Sequence, residues 1–482
     1  MGSASVGTIE QVECAWRMSV TTDFTCLSLS AAVIENLSSL GYQHMTPIQA
    51  AALPPILEGR DIIAQAKTGS GKTAAFGLGL LQRLNSAERE VQALVICPTR
   101  ELADQVAREI RTLARTTPNI KLLALCGGVP IRAHRESLQH GAHVVVGTPG
   151  RLRALVDKGQ LVLDALKVLV LDEADRMLEM GFEEDIRALL SRLPRQRQTL
   201  LFSATYPVAI EQISAGYQRN PLRVTVDNEM DARQIEQLFY AVGARADARI
   251  TAVQALLAQH QPESTLIFCN TKEECNALAQ ALRRAGARSL ALHGDLEQRE
   301  RDEVLVLFSN RSCSVLVATD VAARGLDIEA LDCVINYELS ADASLHLHRV
   351  GRTGRAGRAG LALSLYRAHD SDRLQRIELE LQRPLERRKL PGLAAGARMP
   401  KNSMVTLLIE GGRRDKLRAG DILGALTSSG AISGDAVGKI QVLEARAYVA
   451  VKCAVQKAAL DELGNGRIKK RRFRVSAAGL QS

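Results

Sequence analysis

Aromatic residues are scarce, 3% of the chain with a single tryptophan, so recognition built on stacked aromatic platforms is disfavoured and charge and backbone contacts must serve instead. No apolar run approaches the roughly 20 residues that a bilayer span requires. No basic segment leads into an apolar stretch near the start, so a secretory signal is not expected. The nine cysteines (Cys14, Cys26, Cys97, Cys126, Cys269, Cys275, Cys313, Cys333, Cys453) are odd in number and scattered, without a CxxC pair. That pattern argues against a zinc ribbon and a disulfide framework. Free thiols in a reducing, cytoplasmic setting with no membrane partner are expected. What is present is 46% hydrophobic and 24% charged residues over 482 positions, enough for large cores and about three domains.

The charge is unevenly placed. Residues 383–482 hold 20 lysines and arginines against 8 acids, a net +12, while the other 382 residues carry −3. A basic segment interleaved with apolar periodicity predicts a polyanion-binding domain.

The chain divides by pattern. Residues 1–23 are polar, lack periodicity and are expected to be disordered. Over 24–227, short continuous apolar runs alternate with helical patterns, including Gln92–Cys97, Leu122–Cys126, His143–Gly147, Val168–Leu171 and Thr199–Ser203. Such runs mark parallel strands covered on both faces by helices. A polar stretch, 227–234, reads as a linker, and the rhythm restarts over 235–382. Residues 383–403 read as a basic connector. From 404 to 476 the order βαββαβ predicts a small antiparallel sheet backed by two helices.

Ala66-Lys67-Thr68-Gly69-Ser70-Gly71-Lys72-Thr73 follows an apolar run and opens a helical pattern. Its glycines let backbone N–H groups wrap phosphates, Lys72 can reach the β- and γ-phosphates, and the Thr73 hydroxyl can ligate Mg²⁺. Asp172-Glu173-Ala174-Asp175 directly follows Val168–Leu171. Ligands of open α/β sheets bind at the carboxyl ends of strands, so Asp172 is expected at Mg²⁺ and Glu173 at the attacking water. ATP and Mg²⁺ are the cofactors these residues predict.

With both halves in view, the sequence resembles the DEAD-box helicase family, whose name is spelled by Asp172–Asp175. Phe24 and Gly41–Gln49 resemble the adenine-reading segment, with Phe24 stacking on the base and Gln49 reading its edge. Pro98–Leu102, Gly127-Gly128 and Thr148–Arg151 resemble the RNA-contacting loops of the first domain, which implies contacts by Arg100, Gly128, Thr148 and Arg151. Ser203-Ala204-Thr205 resembles the segment coupling ATP to RNA. In the second half, Ile267–Asn270, Gln298–Arg301 and Ala318–Ile328 match in family order, implying RNA contacts at Asn270, Arg301 and Thr319 and a ribose contact at Asp327. His348–Arg355 resembles the arginine-finger segment, which assigns Arg352 and Arg355 to the transferring phosphoryl group. The implied fold is α/β: two tandem RecA-like doubly wound parallel-sheet domains plus a small α+β RRM-like domain.

The family resemblance implies an RNA-dependent ATPase that closes over nucleotide and RNA and pries short duplexes apart locally. The C-terminal segment resembles the RNA-binding domain of DbpA-type helicases, which act on 23S rRNA near the peptidyl-transferase region during assembly of pre-50S particles. Only Tyr448 and Phe473 are aromatic within 404–482, so recognition of an RNA hairpin by basic residues is expected: Arg413, Arg414, Lys416, Arg418, Lys469, Lys470, Arg471 and Arg472. A monomer is expected. A general RNA helicase without a dedicated rRNA target, an ATP-gated RNA clamp, and a DNA helicase stay open as alternatives.

Overall fold

The computed structural model describes residues 11–12, 22–66, 69–226, 235–245, 247–323, 331–340, 342–354, 359–394, 396–469 and 471–479. The expected linker 227–234, and Lys67, Thr68, Asp327, Arg355 and Lys470, lie outside the described residues. The chain forms two compact units, with the division near residue 228.

The first unit is built on a parallel sheet ordered Leu222–Thr225, Ile62–Gln65, Gln198–Ser203, Val168–Asp172, Ala93–Ile96, Val144–Gly147, Leu122–Leu125. A two-residue strand, Gln11–Val12, pairs in parallel beside Leu222–Thr225; this corrects the expectation of disorder for the whole of 1–23. Every residue of Val168–Asp172 is buried, because helices cover both faces and leave no polar side to the strand. Two apolar layers result, one around Phe76, Ile48 and Phe202 and one around Leu94, Val145 and Leu169. The sheet order sets Ile62–Gln65, Gln198–Ser203 and Val168–Asp172 side by side, so their carboxyl ends deliver three loops to one edge.

The second unit repeats the plan with seven parallel strands ordered Ser289–Leu292, Val315–Thr319, Thr265–Cys269, Cys333–Asn336, Gly360–Tyr366, Ile235–Ala241, Glu386–Arg388. The last of these corrects the expected connector. Glu386–Arg388 is an exposed edge strand on Ile235–Ala241, and Met399 is buried in this unit's core. The segment is therefore laid onto the second sheet over part of its length.

Within the same unit the C-terminal chain forms an antiparallel sheet ordered Val437–Val442, Ala447–Lys452, Met404–Ile409, Val475–Ala477, with helices Ala419–Thr427 and Gln456–Asn465. Strand alternation decides its two faces. Val405, Leu407, Val449 and Val451 pack with Ile422 and Leu463 of the helices. On the opposite face Thr406 sits across from Ala450, and Leu408 across from Tyr448; Thr406, Ala450 and Tyr448 are also buried. The second sheet's domain covers them. Asn310 Nδ2 donates to Thr406 Oγ1 at 3.1 Å, Ser312 and Thr406 hydroxyls lie 2.6 Å apart, and Gln441 Nε2 donates to Ser309 Oγ at 3.1 Å. Eight described cysteines are free thiols, six of them buried. No helix among the described residues is long and apolar enough to cross a membrane.

Candidate functional site

The first of the three loops runs through Ala66 into the helix Lys72–Gln82, whose N-cap is Gly71 at φ 93°. A Cβ there would sit 2.6 Å from Gln49 Nε2 and 2.9 Å from Thr46 Oγ1, so both the backbone and the space require glycine. Lys72 is buried and its Nζ donates to the Ala66 carbonyl at 3.0 Å. The second loop opens with Asp172, fully enclosed; burial pushes its carboxyl up to about 7, opposed by nearby Lys72 and reinforced by Glu173. Glu173 has φ 52° and ψ 52°, a left-handed backbone that costs a non-glycine residue of the order of 1 kcal/mol or more and is typical of functional turns. The third loop is tied to the second. Asp175 Oδ2 accepts from the Thr205 N–H and hydroxyl, each at 2.9 Å, and the Asp175 N–H donates to Ser203 Oγ at 3.3 Å. Asp172 Oδ1, Ser70 Oγ and Thr46 Oγ1 are buried without a hydrogen-bond partner among the described residues, an arrangement that suits polar ligands.

In the second unit Arg349 is 1% exposed and organises the loop ends around it. It donates to both carboxylate oxygens of Asp320 at 2.7 and 2.6 Å, to the Glu338 carbonyl at 2.8 Å and to Asn270 Oδ1 at 3.1 Å. Its guanidinium also lies 5.2 Å from the Phe268 ring centre. Two predicted RNA-contact segments, at Asn270 and at Thr319-Asp320, are thereby bound to the helix Ala343–Val350, which leads into the predicted arginine-finger residues. In the C-terminal domain a cavity of about 610 Å³ is lined by Arg413, Lys416, Leu417, Arg418, Ala419, Ile440, Val442 and Lys469. Lys416 stands at φ 62° as a helical cap, and Lys469 Nζ donates to its carbonyl at 3.2 Å.

Three family models match this chain: DEAD/DEAH box helicase over 46–213, helicase conserved C-terminal domain over 248–357, and DbpA RNA binding domain over 406–477. It is 51% identical over 455 residues to the ATP-dependent RNA helicase DbpA of Escherichia coli, spanning 94% of this chain and 99% of that one. The chain belongs to the DEAD-box ATP-dependent RNA helicase family. This helicase is also 35% identical over 477 residues to the ATP-dependent RNA helicase DbpA of Bacillus subtilis, covering 94% and 99% of the two chains. Among solved structures it is similar to Saccharomyces cerevisiae Dbp5 bound to RNA and ADP BeF3, with TM-score 0.69 and 31% identity over 77% of this chain and 96% of that one.

The other sequence-predicted residues of the helicase are placed mostly in contacts with the protein itself. Phe24 is 3% exposed and packs edge-on against Tyr42, ring centres 6.4 Å apart. Gln49 is 1% exposed and both ends of its amide are engaged, Nε2 donating to the Gly71 carbonyl at 3.0 Å and Oε1 accepting from the Thr46 N–H at 2.9 Å. Arg352 is buried, at 9% exposure. Arg301 donates to the Ala322 carbonyl at 2.9 Å. In the first unit Thr148 is half-buried and Arg100 lies 3.7 Å from Asp104, while Arg151 donates to the Val129 carbonyl at 2.8 Å, beside exposed Gly128. In the C-terminal domain Arg414 pairs with Glu444 at 3.2 Å and Arg471 with Asp415 at 3.9 Å. The linking roles of Asp175, Asp320 and Arg349 were not legible in the sequence, since spacing does not say which side chain turns inward.

Proposed function

We propose that this DEAD-box helicase hydrolyses ATP to open short RNA duplexes, and that its C-terminal domain directs it to a 23S rRNA hairpin during large-subunit assembly in the cytoplasm. The observation that carries the targeting is the convergence of Arg413, Lys416, Arg418 and Lys469 around one cavity. RRM-like domains commonly read RNA on the sheet. Here that face is covered by the second sheet's domain, Tyr448 is buried, and Phe473 packs against Gly411. Charge and loop contacts on the other side are what remain to hold a folded RNA.

The residues present fit ATP with Mg²⁺. The unpartnered Asp172 Oδ1 and Ser70 Oγ supply acceptor and donor capacity, and Thr73 is the second residue of the helix Lys72–Gln82. Among the described residues no group of three His, Cys, Asp or Glu side chains is disposed to hold a metal, so water and phosphate would complete the shell around Thr73 and Asp172. Mg²⁺ held there would supply charge neutralisation to the phosphates. Lys72 exchanges the Ala66 carbonyl for phosphate oxygen, and Glu173 takes the proton of the attacking water. Arg352 and Arg355 stabilise the charge on the transferring group after the two units close, and Asp327 holds the ribose. RNA contacts at Arg100, Gly128, Thr148, Arg151, Asn270, Arg301 and Thr319 favour the same closed state, which makes ATP and RNA binding cooperative.

The test is ATPase stimulation of the full chain by 23S rRNA hairpin fragments against unrelated RNA of equal length. A variant carrying Arg413→Gln, Lys416→Gln, Arg418→Gln and Lys469→Gln runs in parallel. The reading predicts preferential stimulation by the rRNA fragment, lost in the variant. Equal stimulation by both RNAs would leave a general RNA helicase.

A further inference from the structure

We propose that His134, which lies outside every motif segment discussed above, is a positioning residue that holds Arg151 in place for RNA, and that it does so only while its imidazole is neutral. The proposal rests on the reading of Arg151 as an RNA contact. His134 lies on the helix Ile131–Leu138 and is 6% exposed. Its Nδ1 is 2.8 Å from Arg151 Nη1, and the same Nη1 donates to the Val129 carbonyl at 2.8 Å. A guanidinium has donors only, so Nδ1 must accept and the ring proton must sit on Nε2. Arg151 is thereby fixed at two points. One is the loop after Gly127-Gly128 and the other is the helix that follows it, while Arg151 itself belongs to the next strand-to-helix turn, Thr148–Arg151. A single nitrogen is consumed by this clamp, which leaves the remaining donors of the fork for phosphate or sugar oxygens.

The charged groups that act on the imidazole are Arg151, from the helix Pro149–Asp157, and Arg100, from the helix Arg100–Leu113. Burial and these two cations all favour the neutral ring and hold its pKa below the ordinary value. Protonation would put an N–H on Nδ1, removing the acceptor, and add a third positive charge beside two guanidiniums. The clamp would then open and Arg151 would lose its fixed orientation. Asparagine at this position offers a carbonyl oxygen near the place of Nδ1 and does not titrate; leucine offers no acceptor.

The experiment measures RNA-stimulated ATPase of the full chain with an unstructured oligouridine RNA from pH 8 down to pH 5, for the wild type, His134→Asn, His134→Leu and Arg151→Ala. One charge-assisted hydrogen bond corresponds to about a tenfold change. At pH 8, His134→Leu is expected to raise the RNA KM by that factor with kcat held within about twofold, while His134→Asn stays near wild type. Because burial and the two cations hold the imidazole's pKa below the ordinary value, the wild-type KM rises relative to that of His134→Asn only as the pH falls toward 5. If Arg151→Ala raises the RNA KM and His134→Leu does not, the positioning role is overturned. If Arg151→Ala leaves the KM unchanged, the reading of Arg151 as an RNA contact falls, and the proposal with it. Should His134→Leu fail to fold, the pH dependence of the wild type against His134→Asn decides alone: parallel profiles overturn the proposal.

Discussion

Gln49 and Gly71 are joined across the nucleotide site: the glutamine amide donates to the glycine carbonyl at 3.0 Å while its oxygen accepts from the Thr46 N–H. The glutamine therefore braces the end of the phosphate loop from the neighbouring helix Pro47–Glu58. Replacing Gln49 with leucine removes both bonds and strands a buried carbonyl, a loss of about 1–3 kcal/mol. The expected outcome is weaker ATP binding by roughly tenfold, read by titration with a fluorescent ATP analogue. Unchanged affinity would show that the loop holds its shape without the brace.

Gly71 itself tolerates no side chain. Gly71→Ala places a methyl 2.6 Å from Gln49 Nε2 in a left-handed backbone, so the amide must move and the loop with it. ATP affinity should fall further than in Gln49→Leu, measured in the same titration.

Arg349 and Asp320 form a nearly enclosed pair. Removing one partner of such a pair leaves a buried charge and costs about 3–5 kcal/mol. Arg349→Met should lower the denaturant midpoint of the second unit accordingly. Arg349→Lys should recover only part of the loss, since lysine cannot meet both Asp320 oxygens together with Glu338 and Asn270.

His346 is buried, stacked on Phe239 at 5.7 Å between ring centres, and its pKa is lowered to about 4 by burial and by Arg349. The folded pKa lies below the unfolded one, so the unfolded chain binds the proton first as pH falls. Stability is full above pH about 6.5 and declines as the pH drops toward 4, with about 2 kcal/mol lost by pH 5. Thermal melts from pH 7.5 to 5 should show this slope in the wild type and a shallower one in His346→Phe.

The sequence disclosed the architecture because two fully covered parallel sheets leave continuous apolar runs, and the acids after Val168–Leu171 fall at a strand's carboxyl end for the same reason. Less was legible where a side chain's partner is remote. The edge strand Glu386–Arg388 is three exposed charged residues and carries no periodic signal. Resemblance assigns Gln49 to the adenine edge, and only the fold shows its amide braced on the Gly71 carbonyl. Thr406 looks like one polar residue in an apolar strand, and only the fold brings Asn310 and Ser312, about ninety residues earlier, against its hydroxyl. The left-handed backbone of Glu173 is invisible to composition, since glutamate gives no cue for positive φ.

Thr406→Val tests that last joint. It keeps the shape and removes the hydroxyl, leaving Asn310 and Ser312 groups buried without their partner, at a cost of about 1–3 kcal/mol. Denaturant unfolding should show the loss, with Ser312→Ala restoring part of it in the double variant by removing one orphaned group.

The most direct test of the account is turnover by Glu173→Gln. Steady-state ATP hydrolysis is measured with and without RNA, alongside equilibrium binding of both ligands. The account predicts that the variant binds ATP and RNA as the wild type does while RNA-stimulated hydrolysis falls by two orders of magnitude or so. Hydrolysis at the wild-type rate would remove Glu173 from the chemistry and contradict the assignment of the Asp172–Asp175 loop as the site where ATP is split.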